Sequence, residues 1–369
     1  MAEDKSNDAE QRVLDGRSWA EFCDALKSAG DIVLDASAPS DVFNRAEGFR
    51  YLSRLVRASL ETFIEYADPA APELRRTAHE TIKMGADNPD NYYQNAPISG
   101  RFEYRIAGNR GTVHYLGLGT QAGNYGKTGT LDPTGYIDSN ELETDADGNF
   151  EITVSKEKRP GNWLSMDDET SLLVVRQTFL DRENEKLAEL RIRRTDGPHA
   201  ARPLTARKLD RGLGGAALLV HGCARLFQDW ANGFAEHTNE LPRFDPSVAQ
   251  RAGGDPNIAY YHSAFKIDPS EALVIEVTPP DCEYWNFQLN NYWMESLDYR
   301  YFPVTINKHS AKPDAQGRVT VVVSHRNPGV DNWLDVCGHE VGTMCWRWIG
   351  AEDPPTPATR IVPLSELGG

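Results

Sequence analysis

Two long stretches of this chain repeat one another at an almost constant separation, which restricts it to folds that contain one unit twice. Asn88-Pro-Asp-Asn-Tyr-Tyr-Gln-Asn-Ala96 matches Asp255-Pro-Asn-Ile-Ala-Tyr-Tyr-His-Ser-Ala264. Asp145-Ala-Asp-Gly-Asn-Phe-Glu-Ile-Thr-Val-Ser155 matches Asp314-Ala-Gln-Gly-Arg-Val-Thr-Val-Val-Val-Ser324, and Pro160-Gly-Asn-Trp-Leu164 matches Pro328-Gly-Val-Asp-Asn-Trp-Leu334. The anchors Tyr93/Tyr261, Gly148/Gly317 and Trp163/Trp333 are offset by 168, 169 and 170 residues. One match would be coincidence; three in register imply duplication. Both copies finish with a strand that carries an arginine, Arg176 and Arg347.

Within each copy, Tyr, Thr and Val alternate with polar residues in strands read as five to seven residues long, and D-x-x-G segments precede strands, as hairpin turns require. Each copy has the size of a small β-sandwich or barrel, about a hundred residues. Helical spacing is read over 11–34, from Ser40 to about Tyr66, in a short segment at 73–83, between Asp181 and about Arg194, and from Arg207 to Phe234. The expected fold class is α+β: an N-terminal helical segment plus two duplicated β-rich (sandwich- or jelly-roll-like) units joined by helices. The expected boundaries are 1–86 for the helical subdomain, 87–195 for the first β unit, 196–250 for the helical connector, and 251–369 for the second β unit, ending in an extended surface strap.

The 39 Lys and Arg against 55 Asp and Glu give a formal charge of −16, which repels phosphate backbones and anionic lipid surfaces. Nucleic acid and membrane are therefore not expected as partners. No run approaches a membrane span, and the first residues carry no basic-then-apolar leader, so the expected compartment is the cytoplasm. The five cysteines are scattered without a CxxC pair and are read as reduced, buried thiols.

Tyr284-Trp-Asn-Phe-Gln-Leu289, Trp293-Met-Glu-Ser-Leu-Asp298, Ser324-His-Arg-Asn-Pro-Gly329 and Asn332-Trp-Leu-Asp335 resemble the C-terminal part of a bacterial domain-of-unknown-function family, number 1214, often found with family 1254. Gly338-His339, Arg347-Trp348 and Thr359-Arg-Ile-Val-Pro-Leu364 extend the resemblance, which is strong from Asp255 to Leu367 and looser in the first copy from Asn88. It implies a jelly-roll-like β domain at the C-terminus and carries no catalytic residues across.

Alternation along 283–290 puts Trp285, Phe287 and Leu289 on one face and Tyr284, Asn286, Gln288 and Asn290 on the other. The second row suits either recognition of uncharged polar groups or a solvated sheet face. Val319, Val321, Val323 and His325 share a face, so His325 ends an apolar row at the turn Asn327-Pro-Gly329, where a neighbouring carboxylate could tune an imidazole towards neutrality. Positions matched across the copies, Gln94 with His262 and Lys156 with His325, are histidine only in the second, which points any chemistry there.

The candidate catalytic residues are accordingly His325 as base and Glu295 or Asp298 as acid. Tyr261, His262, Trp285, Gln288, Asn290 and Trp293 are the candidate substrate-binding residues. A metal held by His325, Asp331, Asp335 and His339 is the minority reading, because their spacing matches no known ligand motif; no metal is expected. Gly117-Leu-Gly119 and Gly126-Lys-Thr128 only approximate nucleotide loops and read as a Gly-rich surface loop, so no cofactor is expected. The function expected is acid–base chemistry (lyase, isomerase or hydrolase) on a small, mostly uncharged molecule in a cleft beside the second unit. The alternative is a non-catalytic carbohydrate- or small-ligand-binding protein, and a homo-oligomer is compatible with either.

Overall fold

The computed structural model describes residues 2–367. Helices α1 (Ala2–Leu14), α2 (Arg17–Val33) and α3 (Val42–Leu60) come first, and α3 runs on through a π-helical turn, Glu61–Glu65. Asp41 begins α3 by accepting a hydrogen bond from the Asn44 amide, satisfying a donor that the first helical turn leaves unpaired. Helix begins nine residues before the spacing read at 11–34, and Gly16 divides that stretch into two helices.

The first β unit comprises β1 (Asn91–Pro97), β2 (Tyr104–Asn109), β3 (Tyr115–Gly123), β4 (Leu131–Asp138), β5 (Asn149–Ser155), β6 (Trp163–Ser165), β7 (Thr170–Thr178) and β8 (Glu189–Arg194). The long helix α4 (Ala206–Phe234) and the short α5 (Pro246–Arg251) follow. The second unit comprises β9 (Ile258–Lys266), β10 (Glu271–Val277), β11 (Tyr284–Asn290), β12 (Thr305–Asn307), β13 (Val319–Ser324), β14 (Trp333–Asp335), β15 (Val341–Ile349) and β16 (Ala358–Pro363).

The two units have the same strand order. The first pairs β1-β7-β3-β4 and β6-β5-β2-β8; the second pairs β9-β15-β11-β12 and β14-β13-β10-β16. Local bonds repeat as well. Trp163 Nε1 donates to Ser155 Oγ at 3.1 Å, and Trp333 Nε1 to Ser324 Oγ at 2.9 Å. Gly148 and Gly317 adopt φ of 80° and 79°, where only glycine avoids a Cβ penalty, and both close a turn on an Asp carbonyl three residues back. The duplication read from the sequence is therefore present strand for strand. In each unit the two sheets share one core. The first is aliphatic around Ile106, Leu118, Ile152 and Val175; the second is built on Trp285, Trp346 and Trp348.

Two expected helices are absent. Residues 74–88 form isolated bridges, such as Arg75 with Asn95. Glu189–Arg194, rich in helix formers, is instead the strand β8 on β2, because pairing that buries Leu190 and Ile192 outweighs a weak intrinsic propensity. The C-terminal strap is likewise a sheet strand, with β16 pairing to β10. None of the cysteines is in a disulfide, and Cys23 is exposed. Among the described residues no helix is long and apolar enough to cross a membrane.

Helices α2, α3 and α4 pack on one another and on the loop that follows β11, through Tyr51, Phe227 and Phe234 against Tyr292, Trp293 and Met294. The units also meet reciprocally. Tyr284 of the second donates to Asp90 at the start of the first at 2.6 Å, and Asn257 at the start of the second donates to Tyr115 of the first at 3.3 Å.

Candidate functional site

Strand alternation turns one row of each unit away from its core and towards the other. In β7, Leu173 and Val175 are core while Leu172, Val174 and Arg176 face outward; in β15, Trp346 and Trp348 are core and Arg347 faces outward. The neighbouring strands add Asn91, Tyr93 and Asn95 from β1 and Ile258, Tyr260 and His262 from β9. Helix α4 covers both rows with Leu209, Gly212, Gly215, Leu219, Phe227 and Trp230, and a cavity of about 1320 Å³ lies between. The Gly-rich loop after β3 forms part of the wall. It lies so close to α4 that a Cβ on Gly126 would sit 2.0 Å from the Leu218 carbonyl oxygen.

The two arginines are related by the duplication. Arg176 pairs across the sheet with Tyr93, and Arg347 with Tyr260. Arg347 donates to the Ala86 carbonyl in the loop entering the first unit; Arg176 donates to the Gly253 carbonyl in the matching loop entering the second. Arg347 is further held by Gln288 and Asn286 side-chain oxygens. All these partners are neutral, and among the described residues no carboxylate comes within 4 Å of either guanidinium. Burying a cation carries a large desolvation cost; Arg347 is 4% exposed, and the opposite charges that act on the pair, Asp255 on Arg176 and Asp87 and Asp90 on Arg347, stand beyond ion-pair distance.

The tyrosines are also arranged alike. Tyr93 Oη accepts from the Asn88 amide at 2.9 Å, and Tyr260 Oη from the Asp255 amide at 3.3 Å. Burial pushes both phenols upward, so they stay protonated, and neither proton is given to another described residue. His262 stacks on Tyr260 and on Phe234, and burial, then Arg347, pushes it down to about 3, so it is neutral near pH 7. Its Nδ1 has no partner among the described residues.

The three residues proposed for catalysis do not meet. His325 Nε2 lies 3.1 Å from the Ile267 carbonyl oxygen, Glu295 pairs with Arg54 at 2.5 Å, and Asp298 pairs with Arg300 at 2.7 Å; none lines the cavity. Tyr261 and Trp285 lie inside the second core, and Trp293 packs on α3, donating to the Asn44 carbonyl. Asn286, Gln288 and Asn290 form a face that is neither solvated nor open to a ligand. It is buried against the 86–88 loop, where Gln288 donates to the Asp87 carbonyl and to Asn290, and Asn286 to Asn88. Of the expected binding residues, His262 alone lines the cavity.

The four minority metal candidates take separate partners: Ile267 for His325, Lys312 for Asp331, the Cys337 amide for Asp335, and Glu47 for His339.

The sequence match was also one residue out of register. Tyr93 corresponds to Tyr260, since each bonds an amide five residues before it and each faces an arginine; His262 therefore corresponds to Asn95. A slip of one residue in a strand exchanges its faces, which is why Tyr261 was chosen over Tyr260. Arg176, Arg347 and Tyr93 were missed as site residues, although the arginine ending both copies was the visible signal.

The family model described as "Protein of unknown function (DUF1214)" matches residues 128–178. These are β4 to β7 of the first unit, not the second unit where the resemblance looked stronger. No curated protein gives a significant match. A crystal structure of an uncharacterized protein from Burkholderia cenocepacia is 52% identical with a TM-score of 0.95, covering 96% of this chain and 99% of that one. The VPA0106 protein from Vibrio parahaemolyticus shares the fold at 13% identity and a TM-score of 0.51, over 90% of this chain and 100% of that one. The chain belongs to the DUF1214 family of proteins of unknown function.

Proposed function

We propose that the protein binds a small organic molecule in the cavity between its two β units, and that it holds this molecule without acid–base chemistry upon it. The observation that carries this reading is the cavity itself. Its size, about 1320 Å³, exceeds the roughly 300–1,000 Å³ of ordinary ligand pockets, and it combines an apolar wall with a few convergent polar groups. The rival reading, an acid–base enzyme, loses its support because His325, Glu295 and Asp298 are each bound to other partners outside the cavity. The acidic surface favours a small ligand over nucleic acid as partner, and the cytoplasm is the compartment we assign.

A neutral solvatochromic dye tests the reading. We expect its emission to rise and shift to the blue with the full chain, and to rise less with Val174→Trp. Val174 lines the cavity and lies outside the sandwich core, so the larger side chain intrudes on the space while the core is kept. No change in emission with the native chain, or equal enhancement with the variant, would overturn it.

A further inference from the structure

We propose that the ligand is an amphipathic organic anion, with its carboxylate held between Arg176 and Arg347 and its apolar body along β7 and α4. This rests on the cavity being a binding site and names the chemistry it takes.

Charge points the same way twice. The whole chain is acidic, with 39 basic side chains against 55 acidic, yet nine Lys or Arg line this cavity against three Asp or Glu. Of those three, Asp68 is already paired with Arg202 and Lys208, and Asp87 is buried and bonded to Ser296. Exposed Lys127, Arg207 and Arg211 lie on the cavity's rim and have no ion-pair partner among the described residues, so they would draw an anion inward. Deeper in, the two guanidiniums have only neutral acceptors, and the two phenols beside them each keep a proton to donate. A carboxylate accepts several such donors at once and places a negative charge in direct contact, where each guanidinium now has only neutral acceptors.

Asn91, Asn95 and His262 add neutral polar groups near the arginines, and a separate part of the wall is apolar. Leu172 and Val174 of β7, Ile98 and Leu131 face Leu209, Leu219 and Phe227, which suits a hydrocarbon body. An inorganic anion would use the arginines and leave this surface bare; a neutral amphiphile would use the surface and leave both guanidiniums with neutral contacts only.

The experiment is calorimetric titration of the full chain with dodecanoate, dodecanol, butanoate and inorganic phosphate. Dodecanoate should bind most tightly. Its affinity should fall by about tenfold or more in Arg176→Gln and in Arg347→Gln, as expected for loss of one charge-assisted bond, while dodecanol affinity stays unchanged. Because Arg347 also ties β11 and β15 to the loop at Ala86, melting curves accompany each variant. Should Arg347→Gln fail to fold, Arg176→Gln and the rim double variant Arg207→Gln/Arg211→Gln still decide, the latter by a dodecanoate affinity that is lower and less dependent on salt.

Equal affinity for dodecanoate and dodecanol, or arginine variants that bind dodecanoate normally, would overturn the anionic head while leaving the cavity reading intact. Phosphate or butanoate binding as tightly as dodecanoate would overturn the apolar body. If neither dodecanoate, dodecanol nor the neutral dye binds, the cavity reading falls with it.

Discussion

The two β units share every strand and every pairing but fill the same frame differently. At the centre of the second, Trp285 and Trp346 stack 4.9 Å apart with Trp348 against them; the matching position to Trp346 in the first is Val175. Beside Arg347 the sheet carries Asn286, which bonds it, whereas beside Arg176 it carries Gly117. In the space a side chain would occupy at Gly117 sits the Tyr136 hydroxyl, which donates to Asp255 at 2.6 Å. Duplication thus preserved backbone pairing and the Tyr–Arg cross-strand pairs. Divergence was spent on core volume and on the polar shell around each arginine, leaving one arginine held by three partners and the other by a single carbonyl.

The core difference should give the largest effect. Trp346→Val, which installs the first unit's residue, should destabilise the protein by about 3–5 kcal/mol through the cavity it leaves, against about 2 kcal/mol for Val175→Ala. Chemical denaturation of both variants measures this; equal losses would mean that the two cores are loosely coupled to global stability in the same way, and the contrast would fail.

A middle-sized effect is expected from the histidine that only the second unit has at its cavity face. His262 is held at about 3 in the folded state and is near 6.5 when unfolded, because of burial and then Arg347. Below 6.5 the unfolded chain takes up a proton that the folded chain refuses, so stability falls as pH drops from about 6.5 to about 3. His262→Asn copies the first unit's Asn95 and should shrink that loss by about 1–3 kcal/mol. Denaturation midpoints at pH 7 and pH 4.5 in both proteins would show it, and identical pH slopes would count against a buried neutral imidazole.

The smallest effects concern the glycines facing Tyr136. A Cβ at Gly117 would sit 2.5 Å from the Tyr136 hydroxyl, so Gly117→Ala must displace Tyr136 from Asp255 and should cost about 1–3 kcal/mol. At Gly119 the nearest atom is 3.6 Å away, and Gly119→Ala should be neutral or stabilise by up to about 1 kcal/mol by restricting the unfolded chain. Thermal unfolding that ranks them the other way would break the argument that the first unit's glycines make room for the tyrosine.

Much of this protein was legible in its residues. The period of two in the β segments, the D-x-x-G turns at Gly148 and Gly317, and the recurring tryptophans are local signals, and local signals suffice to declare a duplicated α+β chain. Segments whose partner lies far along the chain were misread: Glu189–Arg194 has the composition of a helix and becomes a strand only because β2 offers an edge to it. The site followed the same logic. The sequence by itself determined that each copy ends in a strand carrying an arginine and carries paired tyrosines. Which tyrosine joins the arginine depends on strand register, and register is set by pairing between strands about eighty residues apart. That both arginines share one cavity depends on the two units turning their outer faces to each other beneath α4. No periodicity records this, because it arises from packing between surfaces and not from order along the chain.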